Sequence, residues 1–147
     1  MAPVRRPLLI ATVSCVLGCA QQPARVFIGP HFDRVSYDAL LAATPLGASE
    51  NIRVRELEHA ANSSVSLVQI RDREQPHIHT RYDLTVLLAK GSGTLWLNGD
   101  ALAMHEGDTA FIGKGTPHYF VNGGPEPAAA LVVFAPAFTE PDQQSAP

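Results

Sequence analysis

From about residue 51 the chain reads as short runs of β-branched, aromatic and leucine residues, broken at near-regular intervals by Gly, Asn, Asp and Pro. That texture predicts strands over 51–58, 64–70, 76–79, 83–89, 93–97, 101–105, 109–112, 118–121 and 128–134. Short strands with turn signals at such spacing are the pattern of an antiparallel sandwich or barrel. Asn98-Gly99-Asp100 supplies residues tolerant of positive φ and predicts a tight hairpin, and Glu106-Gly107-Asp108 predicts a second turn. Upstream the pattern changes once. Residues 37–43 are rich in helix formers, Ser36 is a candidate N-cap, and Pro45 and Gly47 mark the stop. No internal repeat and no further amphipathic helix is present, so the expected fold class is all-β with one short N-terminal helix.

The two ends differ from this middle. Arg5 and Arg6 precede the apolar run 7–17, which is too short to span a bilayer and has the layout of an export signal. Val16-Leu17-Gly18-Cys19 resembles the lipobox of bacterial lipoproteins, with Leu17 in place of the usual small residue. The resemblance implies cleavage before Cys19, lipid attachment to Cys19 and membrane anchoring in the cell envelope. Ala20 in the next position resembles the outer-membrane class, facing the periplasm. The expected division is a signal peptide at 1–18, a tether and N-terminal segment at 19–35, the main domain at 36–138 and a disordered tail at 139–147, where apolar side chains are too few to offset the ordering entropy.

Composition narrows the picture in two ways. With 147 residues, 46% of them hydrophobic, the chain can build one core but hardly two. A net charge of −3 with scattered acids and bases offers no positive surface for phosphates, which argues against nucleic-acid binding. Neither Cys15, in the signal, nor Cys19, expected to carry lipid, leaves a pair for a disulfide.

Candidate chemistry lies in the histidines. In a strand, residues i and i+2 share a face, so His77 and His79 can direct two imidazoles at one point. Imidazole suits Zn, Fe, Cu and Ni, and Asp83 follows four residues later with a carboxylate. His31, His59 and His105 have no partner at ligand spacing, and no nucleophile elbow or phosphate loop is present. Gln75-Pro76-His77-Ile78-His79, then Asp83 and a run to Gly91, resembles the first cupin motif. Gly107, Gly113, Gly115, His118 and Asn122 resemble the second, in order and at the family's spacing. The resemblance covers about 51–135 and implies a cupin-type jelly-roll β-barrel, or double-stranded β-helix. It also implies a divalent metal ion, of the set Fe, Mn, Zn, Ni or Cu, held by His77, His79, Asp83 and His118. Two positions depart from the family: Asp83 stands where Glu is usual and is one methylene shorter, and Gly113 replaces a Pro, which should loosen its turn.

Strand parity places Phe120 with His118, and Thr85 and Leu87 with Asp83, as candidate pocket lining. Trp96, Tyr119 and Phe111 read as packing residues. Catalytic residues are not identifiable, since no second acid-base pair stands at a recognisable spacing. Three classes stay open: a metal-dependent enzyme such as a dioxygenase or isomerase, a small-ligand binder, for example of a sugar, and a structural barrel. The expected partners are a small molecule and the membrane, with a homodimer left open. Bound metal is expected to stabilise the barrel by mass action, with an advantage that shrinks below about pH 6 and a metal-free form less sensitive to pH.

Overall fold

The computed structural model describes residues 24–28 and 33–146. Residues 1–23, including the signal-like segment and Cys19, and His31 lie outside the described residues. The chain begins with β1 (Arg25–Ile28) and β2 (Asp33–Ser36), an antiparallel hairpin where a tether was expected. Helix α1 (Tyr37–Ala43) follows with the predicted bounds. The Ser36 side chain accepts a hydrogen bond from the Ala39 N–H, and Asp38 puts negative charge in the first turn. Both relieve the unpaired amides of the helix start.

Then come β3 (Ile52–His59), β4 (Ser64–Ile70), β5 (His77–His79), β6 (Asp83–Lys90), β7 (Ser92–Leu97), β8 (Asp100–His105), β9 (Thr109–Ile112), β10 (His118–Asn122), β11 (Ala128–Ala135) and β12 (Gln143–Ser145). The first nine of these fall within one residue of the predicted runs. They form two five-stranded sheets, ordered β12-β5-β10-β7-β8 and β3-β4-β11-β6-β9, paired antiparallel throughout. The β7–β8 hairpin turns through Asn98 at φ 52° and Gly99 at φ 91°, the two positive values such a turn requires.

The main core lines the space between the sheets. It joins Val68 and Ile70, Leu84 and Leu88, Leu95, Met104, Ile112, Phe120, Val132 and Phe134 from opposite walls. A second cluster lies outside β4 and β11, where Tyr37 and Leu40 of α1 pack on Leu67 and Ala129, with Val26 and Val35 of the hairpin beside them. These two strands are therefore covered on both faces, which explains why almost every residue of both is buried or half-buried, Ser64, Ser66 and Gln69 of β4 included. The loop after α1 is pinned to the sheet: Gln69 Nε2 donates to Thr44 O (2.7 Å), and Arg71 donates to the carbonyls of Glu50 and Gly47.

Two expectations change here. Residues 143–145 are a strand, paired through Gln143↔His79 and Ser145↔His77, where a disordered tail was expected. The sequence test counted apolar side chains and missed backbone pairing and the Tyr82 hydroxyl, which is fully buried and takes hydrogen bonds from the Thr139 and Glu140 amides. Phe111 points outward and is 66% exposed. Trp96 and Tyr119 are cross-strand partners on the outside of the β10–β7 pair, stacked at 5.7 Å with the Arg73 guanidinium over Tyr119.

Leu67 is completely buried in the outer cluster. Replacing Leu67 with Ala should lower the unfolding free energy by roughly 2–5 kcal/mol in urea denaturation. A loss below about 0.5 kcal/mol, the level of an ordinary surface substitution, would show that the helix and hairpin are not part of the folded unit.

Candidate metal centre

The two Pro-His steps build most of this site. Proline fixes its own φ and holds the preceding residue extended. In Gln75-Pro76-His77 and again in Thr116-Pro117-His118, the histidine Nδ1 lies 2.8 Å from the carbonyl oxygen two residues back. A carbonyl can only accept, so each Nδ1 carries the proton and each Nε2 keeps its lone pair. His77 and His79 project inward from β5, with Ile78 turned to the other face, and His118 of β10 is the register partner of His77. All three are buried. Ring centroids are separated by 4.3 Å (His77–His118), 5.2 Å (His77–His79) and 5.6 Å (His79–His118), and ligand nitrogens of the three lie within 4.8 Å of one another.

The third ring is held by a carboxylate. His79 Nδ1 is 2.6 Å from Asp142 Oδ1, and Asp142 Oδ2 accepts the Arg81 N–H at 2.8 Å. Burial pushes the Asp142 carboxyl up, but its hydrogen bonds from His79 and from the Arg81 and Thr80 amides outweigh this and hold it below the usual range. Asp142 lies in the segment expected to be disordered, so sequence reasoning missed it. The nearby Phe138, packed against the core, was the available sign that the chain returns to the barrel.

Burial pushes His118 down to about 4, against the carbonyl of Thr116, which favours its charged form. Burial also lowers His79, more than Asp142 raises it. His79 and His118 are thus held toward the neutral form, the state that ligates a metal. Three imidazoles with fixed tautomers and converging Nε2 lone pairs can hold a metal ion, and an all-nitrogen set favours a borderline divalent ion over calcium or magnesium.

Asp83 does not join this cluster. Its Oδ1 accepts the Lys114 N–H at 2.8 Å, in the turn where Thr116 N–H donates to Gly113 O. The two departures from the cupin pattern thus meet: the Asp83 carboxylate pins the turn that Gly113 leaves loose and that leads to His118. Thr85 and Leu87, with the parity of Asp83, are also absent from the cavity wall. Thr85 is exposed, and Leu84, Val86 and Leu88 line the barrel instead. Phe120 does line it. Its ring lies where a Cβ on Gly93 would come within 2.3 Å of Cζ, so residue 93 must be glycine. His59 and His105 are exposed beside Glu56 and Asp108.

The cavity that the three histidines open into measures about 680 Å³. Glu74 is a second member that the sequence did not reveal. Its Oε2 accepts the Phe120 N–H at 2.9 Å while its own N–H donates to Phe120 O, which anchors a carboxyl on the strand of His118. Burial raises its pKa, against the pull of His77.

A jelly roll with inward histidines on two neighbouring strands of one sheet defines a class of small-molecule and metal-site barrels. Residues 65–134 match the Cupin domain model, and the chain belongs to the cupin family. It is 40% identical over 96 residues to an uncharacterized protein of Aquifex aeolicus, covering 65% of this chain and 78% of that one. Among solved structures, TT1209 from Thermus thermophilus superposes with a TM-score of 0.59 at 21% identity, over 67% of this chain and 95% of that one. KdgF from Halomonas sp. gives 0.57 at 21%, over 65% and 88%. Pac13, a nucleoside dehydratase, gives 0.56 at 22%, over 65% and 78%. At these identities the structural likenesses show the fold.

The lowered His118 gives the metal-free barrel a pH dependence of its own. Unfolded, His118 would titrate near its ordinary 6.5, but folded it titrates near 4. Between those values the unfolded state binds more protons, so stability is full above the higher value and falls as pH drops through the lower one. With chelator present, the melting temperature should therefore decline from pH 6.5 toward 4, and less steeply in His118→Gln. A flat profile, or one unchanged by His118→Gln, contradicts the assignment.

Proposed function

We propose that this protein is a metal-binding cupin that uses His77, His79 and His118 to hold one divalent ion, at which it binds or transforms a small molecule. The observation that carries this reading is the set of three Nδ1 hydrogen bonds, which leave three buried Nε2 lone pairs facing one region. Such an ion, when bound, supplies a Lewis acid, or a redox centre if iron, manganese or copper. The chain's own contribution is to exclude water and to orient the rings. It also supplies the Asp142 carboxylate behind His79, whose negative charge offsets part of the ion's, and the Glu74 carboxyl, which burial holds toward its protonated form and which can carry a proton. A non-catalytic ligand-binding role uses the same site without Glu74 as a proton carrier. Turnover of any ligand by the metal-loaded protein, set against the metal-free protein, separates the two.

Elemental analysis after metal loading is the direct test. Full-length protein should carry about one ion per chain, and the His77→Ala, His79→Ala double variant essentially none. Asp142→Ala should retain the ion with affinity reduced about 10- to 100-fold, because His79 loses its fixed tautomer and orientation. Full metal content in the double variant rules the site out.

We propose separately that the protein belongs to the bacterial cell envelope, anchored through lipid on Cys19, on the strength of the basic start, apolar run and Gly18-Cys19. Cys19→Ser should move the protein from the membrane to the soluble fraction on cell fractionation. A wild-type protein that is already soluble overturns this placement.

A further inference from the structure

The cavity beside the histidines has an unusual electrical character for a site of its size. Its volume of about 680 Å³ lies in the range of small-molecule sites. Apart from the histidines its deep walls are almost wholly hydrocarbon, with Leu88, Leu95, Met104, Ile112, Val132 and Phe134 among them. No lysine or arginine lines it among the described residues. Several cations of neighbouring segments are engaged elsewhere: Arg53 with Glu50, Arg71 with the Glu50 and Gly47 carbonyls, Arg73 over Tyr119, Arg81 with Glu140 and Lys90 with Asp38, while Lys114 is exposed and does not line the cavity. The one acidic side chain on the wall is Glu74, and Asp142 stands directly behind His79. The uncharged polar lining is confined to a few residues, among them Ser66, Gln75 and the β12 residues Gln143, Gln144 and Ser145. Ile52 and Val54 of the edge strand β3 also line it while partly exposed, so the entrance is apolar too.

An anionic group carried away from the metal would be stripped of water against hydrocarbon, without a cation to pair with and with carboxyl groups nearby. That arrangement is costly for any carboxylate or phosphate. Resting on the metal-centre reading above, we propose that the ligand of this cupin is a small molecule with an oxygen-bearing head that meets the metal and an uncharged, predominantly apolar body. The body occupies the barrel between Leu88, Leu95, Met104 and Phe134. Substrates such as sugar acids or phosphorylated sugars, with anionic or many-hydroxyl bodies, do not fit this wall.

Two probes that share a head and differ in the body test the assignment. Full-length protein is loaded with cobalt(II), and its visible spectrum is followed during anaerobic titration with 4-tert-butylcatechol and with 3,4-dihydroxybenzoate. Both carry the same metal-binding diol, and only the second bears a carboxylate on its body. The tert-butyl compound should perturb the cobalt spectrum with a dissociation constant at least about tenfold lower, a difference of about 1.4 kcal/mol. Equal or tighter binding of the carboxylate, or no binding of the tert-butyl compound to protein with one cobalt per chain, overturns the ligand class and leaves the metal centre standing. Failure to take up cobalt overturns both together.

Discussion

Three hydrogen bonds at Nδ1 set the chemistry at the middle of this barrel. An imidazole presents a lone pair at one nitrogen only when the other holds the proton, and in a buried site that choice is made by whatever acceptor stands behind the ring. Two of the acceptors are main-chain carbonyls displayed by Pro-His steps. They are as rigid as the strands that follow them. The third is Asp142, sixty-three residues along the chain from His79, and it can act only if the C-terminal segment returns to the barrel. The Tyr82 hydroxyl, the Arg81–Glu140 ion pair and the pairing of β12 with β5 together secure that return. The last strand is therefore part of the site, although its side chains are mostly exposed.

The same burial that shapes the rings restricts what can join them. Hydrocarbon walls disfavour charge, which is why His118 and His79 titrate low and why Glu74 titrates high. All three shifts keep the groups nearer neutrality. A divalent ion brought into this environment is stabilised by neutral nitrogen donors and by carboxyl groups set behind or beside them. Any charge on a ligand body has no comparable partner. One physical constraint, the low polarity of the barrel interior, thus acts on protonation and, in the proposal above, on the ligand as well.

Much of this was legible from side-chain order alone. The strand runs, the Asn98-Gly99 turn, the Ser36 cap and the three histidines each depend on local rules: period two, positive φ, capping and i, i+2 spacing. What escaped was of another kind. The β1–β2 hairpin, β12, Asp142 and Glu74 owe their places to contacts with residues far away in sequence, and their own neighbourhoods resemble linkers. Gln143-Gln144-Ser145 has little strand propensity of its own and is ordered by backbone bonds to β5, which no hydropathy pattern reports.

Asp83 shows why a motif position and a structural role can separate. Its place four residues after His79 suits a ligand, but its parity on β6 is that of exposed Thr85, whereas Leu84, Val86 and Leu88 face the cavity. Its short side chain finds the Lys114 amide instead. A glycine at 113 gives the turn before His118 freedom that a proline would remove, and a carboxylate bond to the next amide withdraws that freedom again. The demand on this part of the barrel is that His118 arrive opposite His77 at the right height. A proline can meet that demand through the covalent ring, and this chain meets it through a hydrogen bond from the neighbouring strand. The acid is then no longer available as a ligand, and three imidazoles remain that could hold an ion.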